Sequence, residues 1–283
     1  MELRSKDLLG IKDLTKDEIM LILDQAKSFK EISTRTIKKV PALRGRTLIN
    51  LFLEPSTRTR TSFELAGKRL SADVVNISGT TSAAAKGECL KDTAKTLGAM
   101  NADLVVIRHF ASGAPHFLAR LLPCGVINAG DGMHEHPTQA LLDLFTINEK
   151  LNRIEGIKVA IVGDIAHSRV ARSNILALNK MGASVVVVGP PTLIPTRVEE
   201  MGCEVNYDLD AILPEVDVVY VLRIQFERQE ESFFPSLKEY ATLFGMNMRR
   251  AELLKKDALI MHPGPMNRGI EITAEVADLP QSV

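Results

Sequence analysis

Apolar runs that alternate with helical patterns constrain the fold of this chain more than any other feature. In the first half, such runs predict buried strands at 47–53, 74–78, 103–107 and 125–128. Apolar residues at helical spacing predict helices at 61–70, 88–100, 115–122 and 137–151. A capping box formed by Thr15 and Glu18 predicts one further helix ahead of the first strand. Strands separated by helices form βαβ units, whose strands lie parallel in one sheet.

The second half of the chain repeats this scheme. Its apolar runs predict strands at 158–163, 184–189, 216–221 and 258–261, and its helical patterns predict helices at about 168–181, 195–202 and 249–255. We therefore predict an α/β protein with two doubly wound parallel-sheet domains, residues 1–151 and 152–283. Because such sheets bind ligands outside the carboxyl ends of their strands, we expect the active site in the cleft between the domains.

Composition excludes several classes of function. Lys plus Arg equals Asp plus Glu at 35 each, so the formal net charge is zero, whereas nucleic-acid binders carry a basic excess. No apolar run reaches the roughly 18 residues of a membrane span, and residues 1–7 lack the apolar stretch of a signal peptide. Cys89, Cys124 and Cys203 are widely spaced, as is typical of reduced thiols. We expect a cytoplasmic protein without nucleic-acid or membrane partners.

The segment that follows the first strand carries the clearest chemical signal. Residues 56–62 read Ser-Thr-Arg-Thr-Arg-Thr-Ser, and a helical pattern comes directly after them. The first N–H groups of a helix have no internal partner and lie at the positive end of its dipole. Small hydroxylated residues leave that backbone accessible, and arginines add a fixed fork of donors. This favours a site for a phosphate-bearing ligand over a simple helix cap with solvated arginines.

Polar clusters follow the predicted strands at six places. They are the groups at 56–59, 108, 131–136, 164–169, 223–225 and 262–265. Their repeated position at carboxyl ends is the one that parallel sheets use for ligands. The sequence lacks Gly-Lys-Ser/Thr and Gly-x-Gly-x-x-Gly, so neither a Walker loop nor a dinucleotide fingerprint is present.

These clusters resemble the motifs of the aspartate/ornithine carbamoyltransferase family, from the first helix to about residue 277. Ser56-Thr57-Arg58-Thr59-Arg60 resembles the family's carbamoyl-phosphate signature, and His136-Pro137-Thr138-Gln139 resembles its second one. Lys86-Gly87-Glu88 and the groups at 164–169, 223–225 and 262–265 follow in family order. The resemblance implies transfer of a carbamoyl group from carbamoyl phosphate to an amino acid, without a cofactor.

Two features favour aspartate over ornithine as the acceptor. Ornithine enzymes carry a His-Cys-Leu-Pro motif near the C-terminus, where this chain reads His262-Pro263-Gly264-Pro265. Arg223 and Gln225 resemble the pair that reads the β-carboxylate of aspartate, and an arginine would repel the cationic side chain of ornithine. The implied product is N-carbamoyl-L-aspartate, in de novo pyrimidine biosynthesis.

The resemblance also assigns roles to single residues at the carbamoyl-phosphate site. The phosphate would rest on Ser56, Thr57, Arg58 and Thr59 and on Arg108. The carbonyl oxygen would accept hydrogen bonds from Thr59, Arg108 and His136, and the carbamoyl NH₂ group would meet Gln139, Pro263 and Gly264. Glu54 is expected to orient the arginines.

Aspartate would meet a second group of residues. Lys86, Arg169, Arg223 and Gln225 would bind its carboxylates and hold it in register. In the family, the loop at 78–87 reaches into the neighbouring subunit, so Ser82 and Lys86 would act in trans in a homotrimer. The expected catalytic set is Arg58, Thr59, Lys86, Arg108 and His136.

No metal site is expected. His134 and His136 form a His-x-His pair, which can bind zinc when other ligands converge on it, but no third His or Cys is nearby in the sequence and His136 already has a role. His134 is interpreted as a loop residue, and His109, His116 and His167 as packing or surface groups. The family resemblance further implies one more helix after the last residue of this chain, packed against the first domain.

Several alternatives stay open at this point. The acceptor could be another amino acid, or the chain could be a catalytically inactive scaffold, although Arg58, Arg108 and His136 are all present. Assembly alternatives are a bare trimer, a complex with zinc-bearing regulatory chains, and a complex with dihydroorotase-type chains.

Overall fold

A computed structural model describes residues 2–79, 87–224 and 236–283. The chain divides into two compact units, Met1–Leu141 and Leu142–Val283. This division falls within a helix, whereas the sequence analysis put the domain boundary after that helix. The boundary at residue 151 stays a prediction. Within the described residues, no helix combines the length and apolar character needed to cross a membrane.

The first unit contains a four-stranded parallel sheet. Its strands are β1 Thr47–Phe52, β2 Asp73–Ser78, β3 Leu104–His109 and β4 Gly125–Asp131, in the order β2-β1-β3-β4. Its helices are α1 Lys16–Ser33, α2 Thr57–Arg69, α3 Leu90–Ala99, α4 Ala114–Leu121 and α5 Pro137–Leu151, the last of which continues into the second unit. All four strands and the parallel sheet confirm the sequence prediction.

The core of the first unit lies on both faces of this sheet. Along β1, successive side chains point to opposite faces, so an apolar strand needs cover on each side. Ile49 and Leu51 pack with Leu97 of α3, whereas Leu48 and Phe52 belong to a separate apolar cluster. This double cover is the reason why the strand has no alternation of apolar and polar residues.

The second unit contains a five-stranded parallel sheet. Its strands are β5 Lys158–Val162, β6 Ser184–Val188, β7 Glu204–Asn206, β8 Val218–Val221 and β9 Leu259–Met261, in the order β7-β6-β5-β8-β9. Its further helices are α6 Arg169–Lys180, α7 Leu209–Ile212, α8 Leu237–Phe244, α9 Met248–Ala251 and α10 Ala274–Ala277. The prediction of two parallel α/β domains is confirmed. The strand β7 was missed.

The strand orders place a switch point in each sheet. In the first unit, the chain moves from β1 to β2 on one side and then to β3 on the other, so the order reverses between β1 and β3. In the second unit, it reverses in the same way between β5 and β8. Doubly wound sheets bind ligands at such points, where the loops that leave two neighbouring strands diverge.

Candidate active site

The Ser/Thr/Arg segment forms the first turn of α2, directly after β1. Ser56 is the N-cap residue, with extended backbone angles (φ −162°, ψ 96°), and the helix begins at Thr57. The sequence analysis placed the helix start later, at 61, because the first turn has no apolar residue to set the period. Thr57, Arg58 and Thr59 therefore lie on the helix itself.

This helix end is unusually open to an anion. Among the described residues, Ser56 accepts no capping hydrogen bond from the first turn, and that turn contains no acidic residue. An N-cap side chain normally satisfies one of the first N–H groups. Because the Ser56 side chain does not cap the first turn and no acidic residue in that turn offsets the helix dipole, the N-terminus of α2 retains N–H donors and positive potential for a ligand.

Arg108 lies at the other side of the switch point, near the end of β3. Its Nη2 is 3.3 Å from Oε1 of Glu54, and its Nη1 donates to the carbonyl oxygen of Ala129 at 3.3 Å. The two charged side chains are only 14% and 20% exposed. Because Glu54 follows β1 and Arg108 is the penultimate residue of β3, this ion pair joins the two strands that flank the switch point. The contact agrees with the orienting role expected for Glu54.

His136 lies after β4 and directly ahead of α5, and it is 6% exposed. Its backbone carbonyl accepts hydrogen bonds from the N–H groups of Gln139 (3.1 Å) and Ala140 (3.3 Å), so it caps the helix with its main chain. Thr138 Oγ1 is 3.4 Å from His136 Nδ1. Gln139 thus sits in the first turn of α5, next to the histidine with which it was predicted to act.

A buried carboxylate holds the turn that carries His136. Asp131 is fully buried and accepts hydrogen bonds from Gly113 N (2.7 Å), Asn128 Nδ2 (2.8 Å) and Glu135 N (3.1 Å). His134 Nδ1 lies 3.1 Å from Oδ2 of Asp131. Burial acts to raise the pKa of Asp131, but the hydrogen bonds from His134, Gly113 and Asn128 outweigh burial and lower it. Asp131 therefore stays ionised.

In the second unit, the loop after β5 leads into α6 at its switch point. Ser168 is the N-cap residue and accepts a hydrogen bond from Ala171 N at 3.1 Å. Asp164 is fully buried, and its Oδ1 lies 2.8 Å from His167 Nδ1. Arg169, the first residue of α6, is 3% exposed. A guanidinium this deeply buried at a helix start is not ordinary surface charge.

The loops after β8 and β9 lie side by side. Arg223 is half-buried and follows β8. After β9, His262 Nδ1 accepts from Gly264 N at 2.9 Å, which fixes the Pro263-Gly264 segment. Gly264 has a φ of +61°, a left-handed conformation that favours glycine. Asn267 Nδ2 donates to the carbonyl oxygen of Ile224 at 3.4 Å and so links the two loops.

The sequence analysis did not single out some of the supporting residues. Glu271 is fully buried; its Oε1 accepts from Asn267 N at 2.5 Å and lies 3.3 Å from His262 Nε2. Asn128 has a similar role in the first unit, where its Nδ2 donates to Asp131 of the predicted cluster at 131–136. A polar residue within an apolar context was the only available sign, and that sign does not say what the residue supports.

The predicted site residues thus form one group on each unit. Ser56 to Thr59, Arg108, His136 and Gln139 lie at strand ends of the first sheet, and Arg169, Arg223, Pro263 and Gly264 lie at strand ends of the second. Ser82, Lys86 and Gln225 fall outside the described residues. The cleft between the domains stays a prediction.

Comparison with known proteins then identifies the family. The profile described as aspartate/ornithine carbamoyltransferase, carbamoyl-P binding domain, matches residues 6–149. The profile for the Asp/Orn binding domain matches residues 155–283. The chain belongs to the aspartate/ornithine carbamoyltransferase family. It is 62% identical over 283 residues to the aspartate carbamoyltransferase catalytic subunit of Halothermothrix orenii, covering 100% of this chain and 90% of that protein.

A second relative leads to the same conclusion. The aspartate carbamoyltransferase catalytic subunit of Endomicrobium trichonymphae is 59% identical over 283 residues, which cover 100% of this chain and 91% of that protein. The resemblance stated from the sequence motifs is therefore confirmed over the whole chain.

Solved structures share the fold of both units. Aspartate transcarbamoylase from Trypanosoma cruzi in complex with N-(phosphonacetyl)-L-aspartic acid has a TM-score of 0.89 and 30% identity, covering 99% of this chain and 90% of that one. Ornithine carbamoyltransferase from Pyrococcus furiosus has a TM-score of 0.85 and 34% identity, covering 98% and 90%. The fold alone therefore does not separate the two acceptors.

Proposed function

We propose that this chain transfers the carbamoyl group of carbamoyl phosphate to the amine of L-aspartate, giving N-carbamoyl-L-aspartate and phosphate. The observation that carries this proposal is the 62% identity, over the full chain, to an aspartate carbamoyltransferase catalytic subunit. The retained Ser/Thr/Arg turn, Arg108 and His136 support an active enzyme over an inactive scaffold.

The phosphate of carbamoyl phosphate would bind at the N-terminus of α2. The open first turn supplies backbone N–H groups, the dipole supplies positive potential, and Arg58 adds an exposed cation. Arg108 would approach from the neighbouring strand, already aligned by Glu54. An arginine fork suits two oxygens of one phosphate group.

The reaction is acyl transfer by direct attack of the amine on the carbamoyl carbon. Negative charge develops on the carbonyl oxygen, and Thr59, Arg108 and His136 would donate hydrogen bonds to it. Donors fixed in advance avoid reorganisation when the charge appears, and one such donor is typically worth about 3 kcal/mol. The departing phosphate can accept the proton of the amine, so neither a nucleophilic Ser nor a Cys is required.

The acceptor site would combine Arg169, Arg223, Gln225 and Lys86. Carbamoyl phosphate and aspartate together bring several negative charges into one site, where like charges repel strongly once water is excluded. Fixed cations offset this repulsion, and two arginines can each clamp one carboxylate. Holding both substrates in attack geometry contributes at most roughly 7–11 kcal/mol to lowering the barrier.

The complete site would need a second copy of the chain. We infer that Ser82 and Lys86 reach the site of a neighbouring subunit, in a cyclic homotrimer of cytoplasmic chains. The product would enter pyrimidine biosynthesis. Regulatory or dihydroorotase-type chains stay open as further partners.

The test is phosphate release from carbamoyl phosphate with L-aspartate and L-ornithine compared side by side, on protein whose mass is measured by light scattering. Release with L-aspartate alone, from a trimer or larger assembly, supports substrate and assembly together. Release with L-ornithine would overturn the assignment of Arg223 and Gln225. The matched variants are Arg223→Gln, which should raise the KM for aspartate, and Arg172→Gln on the exposed face of α6, which should not.

A further inference from the structure

Three side chains outside the proposed substrate contacts converge beside the turn that carries His136. They are His116 on α4, Asp131 at the end of β4, and His134 in the turn that follows it. Each offers one ligand atom, and these atoms all lie within 4.8 Å of one another. The sequence analysis expected no metal because no third His or Cys is near the His-x-His pair in the sequence and His136 already has a role. The fold brings His116 there from a different helix.

Two of the three ligand atoms already have the spacing of metal ligands. His134 Nδ1 is 3.1 Å from Asp131 Oδ2, and two ligands of a tetrahedral zinc ion lie about 3.3 Å apart, given metal–ligand bonds of about 2.0–2.2 Å. The rings of His116 and His134 have centroids 5.6 Å apart in an edge-on arrangement.

The surroundings also resemble a prepared site more than a packing contact. Metal-binding carboxylates are normally held by further hydrogen bonds. Asp131 has them from the N–H groups of Gly113 and Glu135 and from Asn128. His116 Nδ1 is buried and makes no hydrogen bond with any described residue. A buried ring nitrogen without a partner is costly unless a ligand satisfies it.

We propose that His116, Asp131 and His134 bind a divalent transition-metal ion of the zinc or cobalt type. Two imidazoles and one carboxylate suit such an ion, whereas magnesium and calcium prefer oxygen ligands alone. The side chain of His134 is 35% exposed, so the ion can enter from solvent. Water would complete the coordination.

The ion would position His136 without touching the substrates. It would tie α4 to the turn at 131–136, and that turn sets the backbone from which His136 and α5 start. His116 and His134 are positioning residues in this account. The proposal does not depend on the proposed reaction, because its test measures metal binding directly.

The experiment is a cobalt titration of the chelator-treated full-length protein, followed by visible absorption. Saturation at one equivalent, with an intense d–d band that zinc abolishes, supports the site. His116→Asn and His134→Asn should each weaken cobalt binding about tenfold or more. His167→Asn is the matched control, because His167 pairs with buried Asp164 in the same i, i+3 arrangement, and no third ligand joins them among the described residues.

Each result decides the question. The absence of a saturable band in the wild-type protein overturns the proposal, as does an unchanged titration in His116→Asn. Loss of the band in His167→Asn would place the ion elsewhere and overturn it too. Circular dichroism shows whether each variant folds. If a variant does not fold, the second measurement is the melting temperature of the wild-type protein. It should rise with zinc and return with chelator, since an ion that binds only the folded state stabilises it.

Discussion

At the scale of single residues, Arg108 is the side chain on which the proposed chemistry most depends. Its two terminal nitrogens contact Glu54 and the Ala129 carbonyl, so its plane is fixed before substrate arrives. Arg108→Lys keeps the charge but loses the fork. We expect kcat to fall about 10²- to 10³-fold, as for loss of one oxyanion donor, measured by steady-state phosphate release.

The control for this variant is Arg120→Lys, the same substitution on the exposed side of α4. It should leave kcat unchanged. If Arg108→Lys turned over at the wild-type rate, a positive charge alone would suffice at position 108. The alignment by Glu54 would then make no contribution to catalysis. Arg108 was predictable from its position at a strand end, and Glu54 was expected to orient the arginines, whereas the contact of Arg108 with the Ala129 carbonyl was not predicted.

At the scale of elements, the start of α2 presents a conflict between stability and function. Ser56 makes no capping bond with the described first turn, so Ser56→Asp should cap the helix and complement its dipole. We expect unfolding free energy to rise by about 0.5–1 kcal/mol. The same carboxylate would repel the phosphate, so the KM for carbamoyl phosphate should rise at least tenfold. Denaturant unfolding and initial rates measure the two effects.

Asn247→Asp is the matched control, because it adds the same charge at the start of α9, where Asn247 already caps Arg250 N at 3.0 Å. It should leave the KM for carbamoyl phosphate unchanged. If Ser56→Asp altered stability without altering that KM, the phosphate would not bind at this helix end.

The start of α1 gives a prediction about pH. Glu18 closes the predicted capping box with Thr15, and it also accepts hydrogen bonds from Arg4. Those bonds from Arg4, together with the Thr15 N–H, lower the pKa of Glu18 from its ordinary value of 4.5. A lowered pKa means that the ionised group stabilises the fold above pH 4.5 and that this stabilisation is lost as pH falls. Glu18→Gln should therefore destabilise the protein at pH 7 and lose that difference on acidification.

Urea unfolding followed by circular dichroism from pH 7 downwards checks this expectation. Glu31→Gln, an exposed position in the same helix, should show no such dependence. Equal acid sensitivity of the wild-type protein and Glu18→Gln would contradict the assignment of the shift to this cluster.

The elements also show where sequence patterns stop being informative. Long apolar runs such as Val185 to Val188 specify buried strands by themselves. The three-residue edge strand β7, Glu204–Asn206, has no such run, because a short edge strand needs little apolar cover. The pattern at 195–202 predicted a helix, but the chain forms only a 3₁₀ turn, Val198–Met201. The helix α8 was missed, although Ser236 caps it in the expected way.

The site shows the same division between what was predictable and what was not. The residues predicted to touch substrate carry charge or hydroxyl groups at strand ends, so the sequence pattern and the family resemblance could propose them without a structure. Residues that hold them depend on contacts between distant segments: Asn128 Nδ2, for example, donates to the carbonyl oxygen of Leu9. The convergence of His116 with His134 belongs to this second class, because it needs the packing of α4 against β4.

At the scale of the whole molecule, the proposed trimer makes a quantitative prediction. If each site takes Arg58 from one chain and Lys86 from the next, Arg58→Ala and Lys86→Ala trimers should each be nearly inactive. Dissociating and reassembling an equal mixture should then restore activity. In a closed ring with random order, a site is intact only when an Arg58-bearing chain precedes a Lys86-bearing one, which gives about a quarter of wild-type activity.

Controls must show that the recovered activity comes from sites shared between reassembled chains. Each variant reassembled alone, and the two combined without dissociation, should stay inactive. The reverse experiment mixes wild-type chains with a double variant, which carries both substitutions in one chain. A site then stays intact only when both its chains are wild type, so activity should again fall to about a quarter of the all-wild-type value, not to half. Half would mean that each chain carries its own Lys86 in its own site, and that the trimer, if it forms, is not needed for chemistry.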